Sequence, residues 1–358
     1  MRITIAGVGN AGSTVGADLS NKGHQVTLLK TSNKLHNEHY EKIKKDKNIK
    51  VNDFSNKYLA ELFSVTDDVK SAISDAECII IYIQTNYHEK LIKDIVQYMH
   101  DGQIVIIEPG YMSTCYFIKH NCPDITIIEA ESSPIDCRIV KPGEVNVLFK
   151  NVLNPFGVYP LSHIEIAEKC LKSLGYPFEF TKNVVEAALH NPNLIVHTVG
   201  AIFSIPRIEY SNGDYWMYKE VFTPHIWNVV ESLDKEKMDI LEALNCERLP
   251  YVEACKKRNS TDKTEDALEV FFDYAKNSSP AGPNVPDSRY ITEDVPQGLV
   301  LLESLGQILN IPTPTCSGLI NCANAALTVD FRKIGRTVEA LGYDNIIKIL
   351  KENEKEGY

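Results

Sequence analysis

The stretch His190-Asn191-Pro192-Asn193-Leu194-Ile195-Val196-His197 sets an amide and a titratable imidazole into a run that is otherwise apolar. Leu194-Ile195-Val196 and Val199-Gly200-Ala201-Ile202-Phe203 read as a buried helix. Asn191 followed by Pro192 is a helix start, a side-chain cap and then proline at the first helical position. Asn193 and His197 stand four residues apart, so they lie one above the other on one face. An amide beside an imidazole can orient a carbonyl substrate and move its proton near neutral pH. A core histidine satisfied by its neighbours is the competing reading, and His190, which precedes the helix, reads as structural or as a loop contact.

A second segment with chemical potential is Asp287-Ser288-Arg289-Tyr290-Ile291-Thr292-Glu293-Asp294-Val295-Pro296-Gln297-Gly298, followed by the apolar Leu299-Val300-Leu301-Leu302. One reading is a helix N-terminus with favourably placed acidic residues. The other is a carboxylate, Asp294, paired with a histidine, with Arg289 available to hold a substrate carboxylate by two hydrogen bonds.

A hydride carrier would complete such a site, and the N-terminal elements provide for one. Arg2-Ile3-Thr4-Ile5-Ala6 reads as a strand and runs into Gly7-Val8-Gly9-Asn10-Ala11-Gly12, a complete GxGxxG. Helical spacing from Ser13 to Leu19 and a second strand, Gln25-Val26-Thr27-Leu28-Leu29, follow. Strand, glycine turn, helix, strand is the context that binds a dinucleotide, with the pyrophosphate at the helix N-terminus. Gly7, Gly9, Asn10, Ala11 and Gly12 are the expected cofactor contacts. The second strand ends in Leu29-Lys30-Thr31-Ser32-Asn33-Lys34, with no carboxylate where an NAD site usually holds the ribose. Lys30, Thr31, Ser32 and Lys34 could instead hold a 2′-phosphate, so NADP is expected ahead of NAD; solvated lysines and an NAD site without an acidic partner are the alternative.

Further apolar strands are expected at 78–82, 104–107 and 125–128, with a helix from Glu89 to Met99 among them. Continuous apolar strands joined by helices imply a mostly parallel sheet covered on both faces. Val145–Phe149 and Phe178–Phe180 read as late strands around a helix from about Ser162 to Leu174. After residue 183 strand patterning nearly vanishes. Helices are expected at 184–189, 191–204, 215–243, 252–257, 264–275, 295–309, 314–331 and 337–341. The aromatic stretch Tyr210–Tyr218 could line a pocket, or pack as a surface loop. The expected architecture is therefore α/β plus all-α: a Rossmann-type domain over 1–182 and a helical substrate and catalytic domain over 183–358.

Composition fits two such domains. The chain has 358 residues, 44% hydrophobic and 24% charged. Lys and Arg number 37 against 48 Asp and Glu, a net charge of −11, which offers no footprint for nucleic acid or an anionic membrane. Nine scattered cysteines without a CxxC suit reduced cytoplasmic thiols better than disulfides, and no metal site is expected. Met1 leads directly into a strand, so no signal peptide is expected. No apolar run approaches the roughly 20 residues that span a bilayer.

Taken together, the glycine turn, Asn193 with His197, and the Arg289 to Asp294 segment resemble the octopine/nopaline (opine) dehydrogenase family of the 6-phosphogluconate-dehydrogenase-like superfamily. The resemblance covers most of the chain in the same order. His88-Glu89 is similar to that family's loop near the nicotinamide, and Glu129 to Arg138 to its stretch of Glu, then Pro, then Cys-Arg, with Ser133 where an apolar residue is commoner. The resemblance implies NAD(P)H-dependent reductive condensation of an amino acid amine with a 2-oxo acid such as pyruvate, and the reverse. It implies a Rossmann-type domain followed by a helical one, with the active site in the cleft between them. It assigns His197 as the catalytic histidine, Asp294 as its partner and Asn193 as the asparagine one turn before it. Arg289 and His88 are implied substrate contacts. The partners implied are small molecules, and a homodimer through the helical domain is compatible with it. Two other readings are a ketopantoate-reductase-like enzyme acting on 2-oxo or hydroxy acids, and a non-catalytic NADP-binding sensor. The first is expected to carry a lysine on the corresponding helix, whereas Lys182 and Asn183 lie before His190.

Overall fold

The computed structural model describes residues 1–32 and 34–355, with side chains described through residue 352. Asn33, in the stretch after the second strand, lies outside the described residues, as do residues 356–358. Contacts divide the chain into two compact units, Met1–Val184 and Val185–Tyr358, where the sequence placed the boundary after residue 182.

Among its described residues the first unit contains twelve strands: β1 Arg2–Ala6, β2 Gln25–Leu29, β3 Asn48–Asp53, β4 Asn56–Glu61, β5 Ser64–Thr66, β6 Cys78–Ile81, β7 Ile104–Ile107, β8 Thr126–Ala130, β9 Ile135–Lys141, β10 Glu144–Lys150, β11 Asn154–Tyr159 and β12 Phe178–Phe180. Eight form a sheet in the order β12-β11-β8-β7-β6-β1-β2-β5. From β8 to β5 every pair is parallel; β11 runs antiparallel to β8, and β12 runs parallel to β11. The central strand β6 is buried along its whole length, as Cys78-Ile79-Ile80-Ile81 requires when both faces are covered.

The remaining four strands form a second sheet, β4-β3-β10-β9. The expected Val145–Phe149 strand therefore belongs to this smaller sheet, paired in parallel with β3 and antiparallel with β9. The Asn48–Asp53 strand hides only alternate residues, Ile49 and Val51, among polar ones, so its apolar signal is weak. Both sheets enclose helix α1, Asn10–Asn21, which is buried without interruption from Gly12 to Leu19. A helix covered on one side alone would show a polar face in that span.

The second unit is helical. The expected 215–243 helix is broken, into Met217–Glu220 and Pro224–Ala243, because Pro224 starts a new helix with Thr223 extended before it. Tyr215, Met217 and Tyr218 are buried, with Tyr218 in an aromatic cluster with Phe222, Phe271 and Tyr274; Tyr210 and Trp216 of that stretch are exposed, Tyr210 the more so. The expected 295–309 helix opens with a π-type turn, Val295–Leu299, before Val300–Leu309. The expected 314–331 helix ends at Leu327, and a terminal helix, Tyr343–Lys355, was not anticipated. Among the described residues no helix is long and apolar enough to cross a membrane.

Candidate active site

In the second unit, the helix Asn193–Phe203 begins with local chemistry. The Asn193 N–H donates to Asn191 Oδ1 at 2.9 Å, and the N–H groups of Ile195 and Val196 donate to the Pro192 carbonyl at 3.2 and 3.0 Å. Proline in the first turn loses no helical bond, because that turn's N–H has no acceptor anyway. Residues Leu194 to Ile202 are all buried, so His197 is carried inside an apolar helix. Asn193 lies one turn earlier and is half-buried.

Asp294 meets it from a segment far along the chain. His197 Nδ1 lies 2.8 Å from Asp294 Oδ2, and both side chains are buried. A carboxylate only accepts, so Nδ1 carries the proton and the neutral ring keeps its lone pair on Nε2. Among the described residues no protein group hydrogen-bonds Nε2. Asp294 stands just before the π-type turn, where Pro296 offers no N–H and Gln297 bonds back to the Glu293 carbonyl at 3.0 Å. Such turns often sit at functional sites.

On the same segment, the Tyr290 ring stacks on the His197 ring, centroids 3.8 Å apart and planes 7° from parallel. The sequence reading missed this contact. Arg289 is mostly exposed, with Nε 3.6 Å from Glu293 Oε2. His190 is buried, and desolvation, reinforced by Lys237, Lys257 and Arg258, holds its pKa well below the usual histidine range. It stays neutral, as a structural histidine would.

In the first unit, the glycine turn has the form that a dinucleotide needs. Gly7 has φ +125°, and a Cβ there would meet the Tyr82 carbonyl oxygen at 2.2 Å. A Cβ on Gly12 would meet the Gly7 carbonyl oxygen at 2.1 Å, so the helix can approach the strand only as glycine. A Cβ on Gly9 would meet nothing nearer than His36 Nε2 at 3.5 Å, which leaves room for a pyrophosphate against the backbone. The N–H groups of Asn10, Ala11 and Gly12 form the uncapped first turn of α1, whose first internal bond runs from Ser13 N–H to the Gly9 carbonyl. The residues present fit the dinucleotide. The Asn10 side chain is committed elsewhere: its Oδ1 accepts from the Ile139 N–H at 2.8 Å.

Two expectations need correction. Lys30 is buried; its Nζ donates to the Leu35 carbonyl at 3.0 Å and lies 5.0 Å from the centroid of the Tyr40 ring. A lysine stem packs readily against apolar surface, and here the head is tied down as well, so Lys30 shapes the loop rather than reaching a phosphate. Thr31, Ser32 and Lys34 remain at its surface, with Ser32 Oγ accepting from the Lys34 N–H at 3.2 Å. His88 is likewise fully buried, with Nδ1 2.7 Å from Ser113 Oγ and Nε2 3.3 Å from the Ile83 carbonyl. Its ring braces the start of the helix His88–Val96 and offers no free edge to a substrate. The sequence also missed the buried pair at the carboxyl ends of β6 and β7, where the Tyr82 hydroxyl donates to Glu108. Burial pushes that carboxyl up to about 8. Among the described residues no cluster of His, Cys, Asp and Glu could hold a metal ion.

A parallel sheet with this glycine turn, joined to a helical unit with a buried His–Asp dyad, defines an NAD(P)-dependent oxidoreductase. Residues 180–327 match the family model for the NAD/NADP octopine/nopaline dehydrogenase alpha-helical domain, and residues 2–110 match that for the NAD-dependent glycerol-3-phosphate dehydrogenase N-terminus. Over 287 residues the chain is 28% identical to an opine dehydrogenase of Arthrobacter sp. (strain 1C), covering 79% of each chain. It shares the fold of octopine dehydrogenase in complex with NADH and agmatine, with a TM-score of 0.76 at 17% identity over 100% of this chain and 99% of that one. An NADP+-bound yersinopine dehydrogenase gives 0.73 at 13% identity, covering 99% of both. The helical unit thus matches the octopine/nopaline dehydrogenase family model, and the chain is similar to opine dehydrogenases over most of its length.

Proposed function

We propose that the protein is an opine dehydrogenase, joining the amine of an amino acid to a 2-oxo acid such as pyruvate by NAD(P)H-dependent reductive condensation, and running the reverse reaction. The observation that carries this reading is the 2.8 Å His197–Asp294 bond inside an apolar helix, which leaves Nε2 to exchange protons. Condensation gives a carbinolamine, loss of water gives an imine, and each step moves a proton near neutral pH. The dinucleotide supplies the hydride that reduces the imine carbon. His197 Nε2 gives a proton to the departing hydroxyl and takes one from the amine. Asp294 stabilises the imidazolium formed in between and holds its tautomer. Asn193 orients the substrate from one turn away, and Arg289 offers a guanidinium to one of the carboxylates.

The glycine turn and the N-terminus of α1 bind the pyrophosphate. NADPH is favoured over NADH, because Thr31, Ser32 and Lys34 present hydroxyls and a cation and no carboxylate at the end of β2. Seven of the nine cysteines are buried thiols, which suits a reducing cytoplasm. The ketopantoate-reductase-like alternative loses support from the helix Asn193–Phe203, which carries a histidine and no lysine.

The test is a panel of amino acids with pyruvate, followed by the absorbance of NADPH and of NADH. Oxidation should require both the amine and the 2-oxo acid, and mass spectrometry should find the secondary amine product. Oxidation at the same rate without any amine would overturn the reading in favour of a simple 2-oxo acid reductase.

A further inference from the structure

We infer that Tyr290 is a positioning residue for the proton transfers: it clamps the His197 ring from its face while Asp294 holds it by its edge. The inference rests on the reading of His197 as the acid–base group. A single hydrogen bond at Nδ1 fixes one point of the imidazole and still lets the ring tilt about that point. Proton transfer from Nε2 tolerates little tilt, because catalytic groups must stay within about 10–20° of their working geometry. The Tyr290 ring lies 3.8 Å from the imidazole and 7° from parallel, so it blocks that tilt. Both halves of the clamp hang from one short segment: Tyr290 in the turn Arg289–Thr292, and Asp294 two residues beyond it.

The stack also decides the direction of approach. One face of the imidazole is covered, and its Nδ1 edge is taken by Asp294. A substrate oxygen or nitrogen therefore reaches Nε2 in the plane of the ring, which is the direction of the Nε2 lone pair and N–H. A tyrosine hydroxyl plays no part in this, so the aromatic plane is what matters. That separates a clamp from a proton relay through the phenol.

Tyr290→Phe and Tyr290→Leu distinguish these cases in the full-length protein. The phenylalanine variant should keep kcat within about twofold of wild type. The leucine variant should lose roughly tenfold or more in kcat, with KM for the 2-oxo acid and for NADPH changed less than about threefold. Labelled-histidine NMR supplies a readout that needs no turnover. The His197 ring protons, assigned by their loss in His197→Ala, should resonate upfield in wild type and in Tyr290→Phe, and move downfield in Tyr290→Leu. A leucine variant with wild-type kcat, or unshifted His197 resonances in wild type, would overturn the clamp. A phenylalanine variant as slow as the leucine one would overturn it in favour of a hydroxyl role. Upfield His197 resonances in a protein that turns over no amine and 2-oxo acid would instead remove the reaction and leave the stacking intact.

Discussion

His197 and Asp294 are 97 residues apart in the chain and 2.8 Å apart in space, and the proposed chemistry depends on that contact. His197→Ala removes the atom proposed to exchange protons, so kcat should fall by roughly 10²–10⁴-fold while NADPH still binds. Asp294→Asn keeps the shape and can still accept at Nδ1, but it loses the charge that stabilises the imidazolium. Its kcat should fall by about 10²-fold or more, and a rate near wild type in steady-state assays would argue for a purely structural carboxylate. Asn193 and His197 share a face because helical spacing alone puts them there. Asp294 stood out because a carboxylate precedes a proline and an apolar run, and the resemblance supplied its partner. Tyr290 was inside the same segment, yet no local pattern says that its ring lies on an imidazole. Lys30 misled for a related reason: a lysine's type gives its charge, while the loop around it decides where that charge points.

At the scale of elements, α1 shows how a motif and its surroundings divide the work. The glycine turn is local and was legible from spacing. Its three glycines do different things, and substitution should separate them. Gly12→Ala sets a Cβ 2.1 Å from the Gly7 carbonyl oxygen, so both thermal stability and cofactor affinity should drop. Gly9→Ala meets only the His36 ring, Nε2 nearest at 3.5 Å, so the fold should melt near the wild-type temperature. Its nucleotide affinity should still fall at least about tenfold, near 1.4 kcal/mol, because the new methyl occupies the approach of the pyrophosphate. Calorimetric titration with NADPH beside a melting curve reads both, and unchanged affinity in Gly9→Ala would place the dinucleotide elsewhere. The second sheet was not legible as a sheet. Its strands alternate short apolar residues with Lys and Asn, and what recruits them is the side of α1 that the first sheet leaves uncovered, which is a tertiary demand. The π-type turn after Asp294 was likewise read as ordinary helix, since Pro296 marks a helix start equally well.

At the scale of the whole molecule, two buried titratable groups bound the pH range of stability from opposite sides. His39 donates from Nε2 to Ser13 Oγ at 3.0 Å and accepts the Gly143 N–H at Nδ1, and desolvation, with His36 and Lys30 adding to it, pushes it down to about 4. Its folded pKa lies below the unfolded value of 6.5, so its contribution is present above pH 6.5 and lost as pH falls toward 4. Glu108 is shifted the other way, from 4.5 to about 8 by burial. Its contribution is present below pH 4.5 and lost as pH rises toward 8. Thermal unfolding followed from about pH 4 to about pH 9 should therefore show stability falling on both sides. His39→Gln should flatten the acid limb and Glu108→Gln the alkaline limb, and a variant that leaves its limb unchanged would remove that group from the account. The sequence by itself determined the division into a nucleotide-binding sheet and a helical half, the glycine turn, and the shared face of Asn193 and His197. These rest on periodicities and turns within a few residues of one another. Only the tertiary structure decided that Val145 to Phe149 joins a second sheet, that Lys30 and His88 turn inward, and that Asp294 and Tyr290 close on His197 from edge and face. Each depends on which distant segment packs beside which, and no local pattern encodes that.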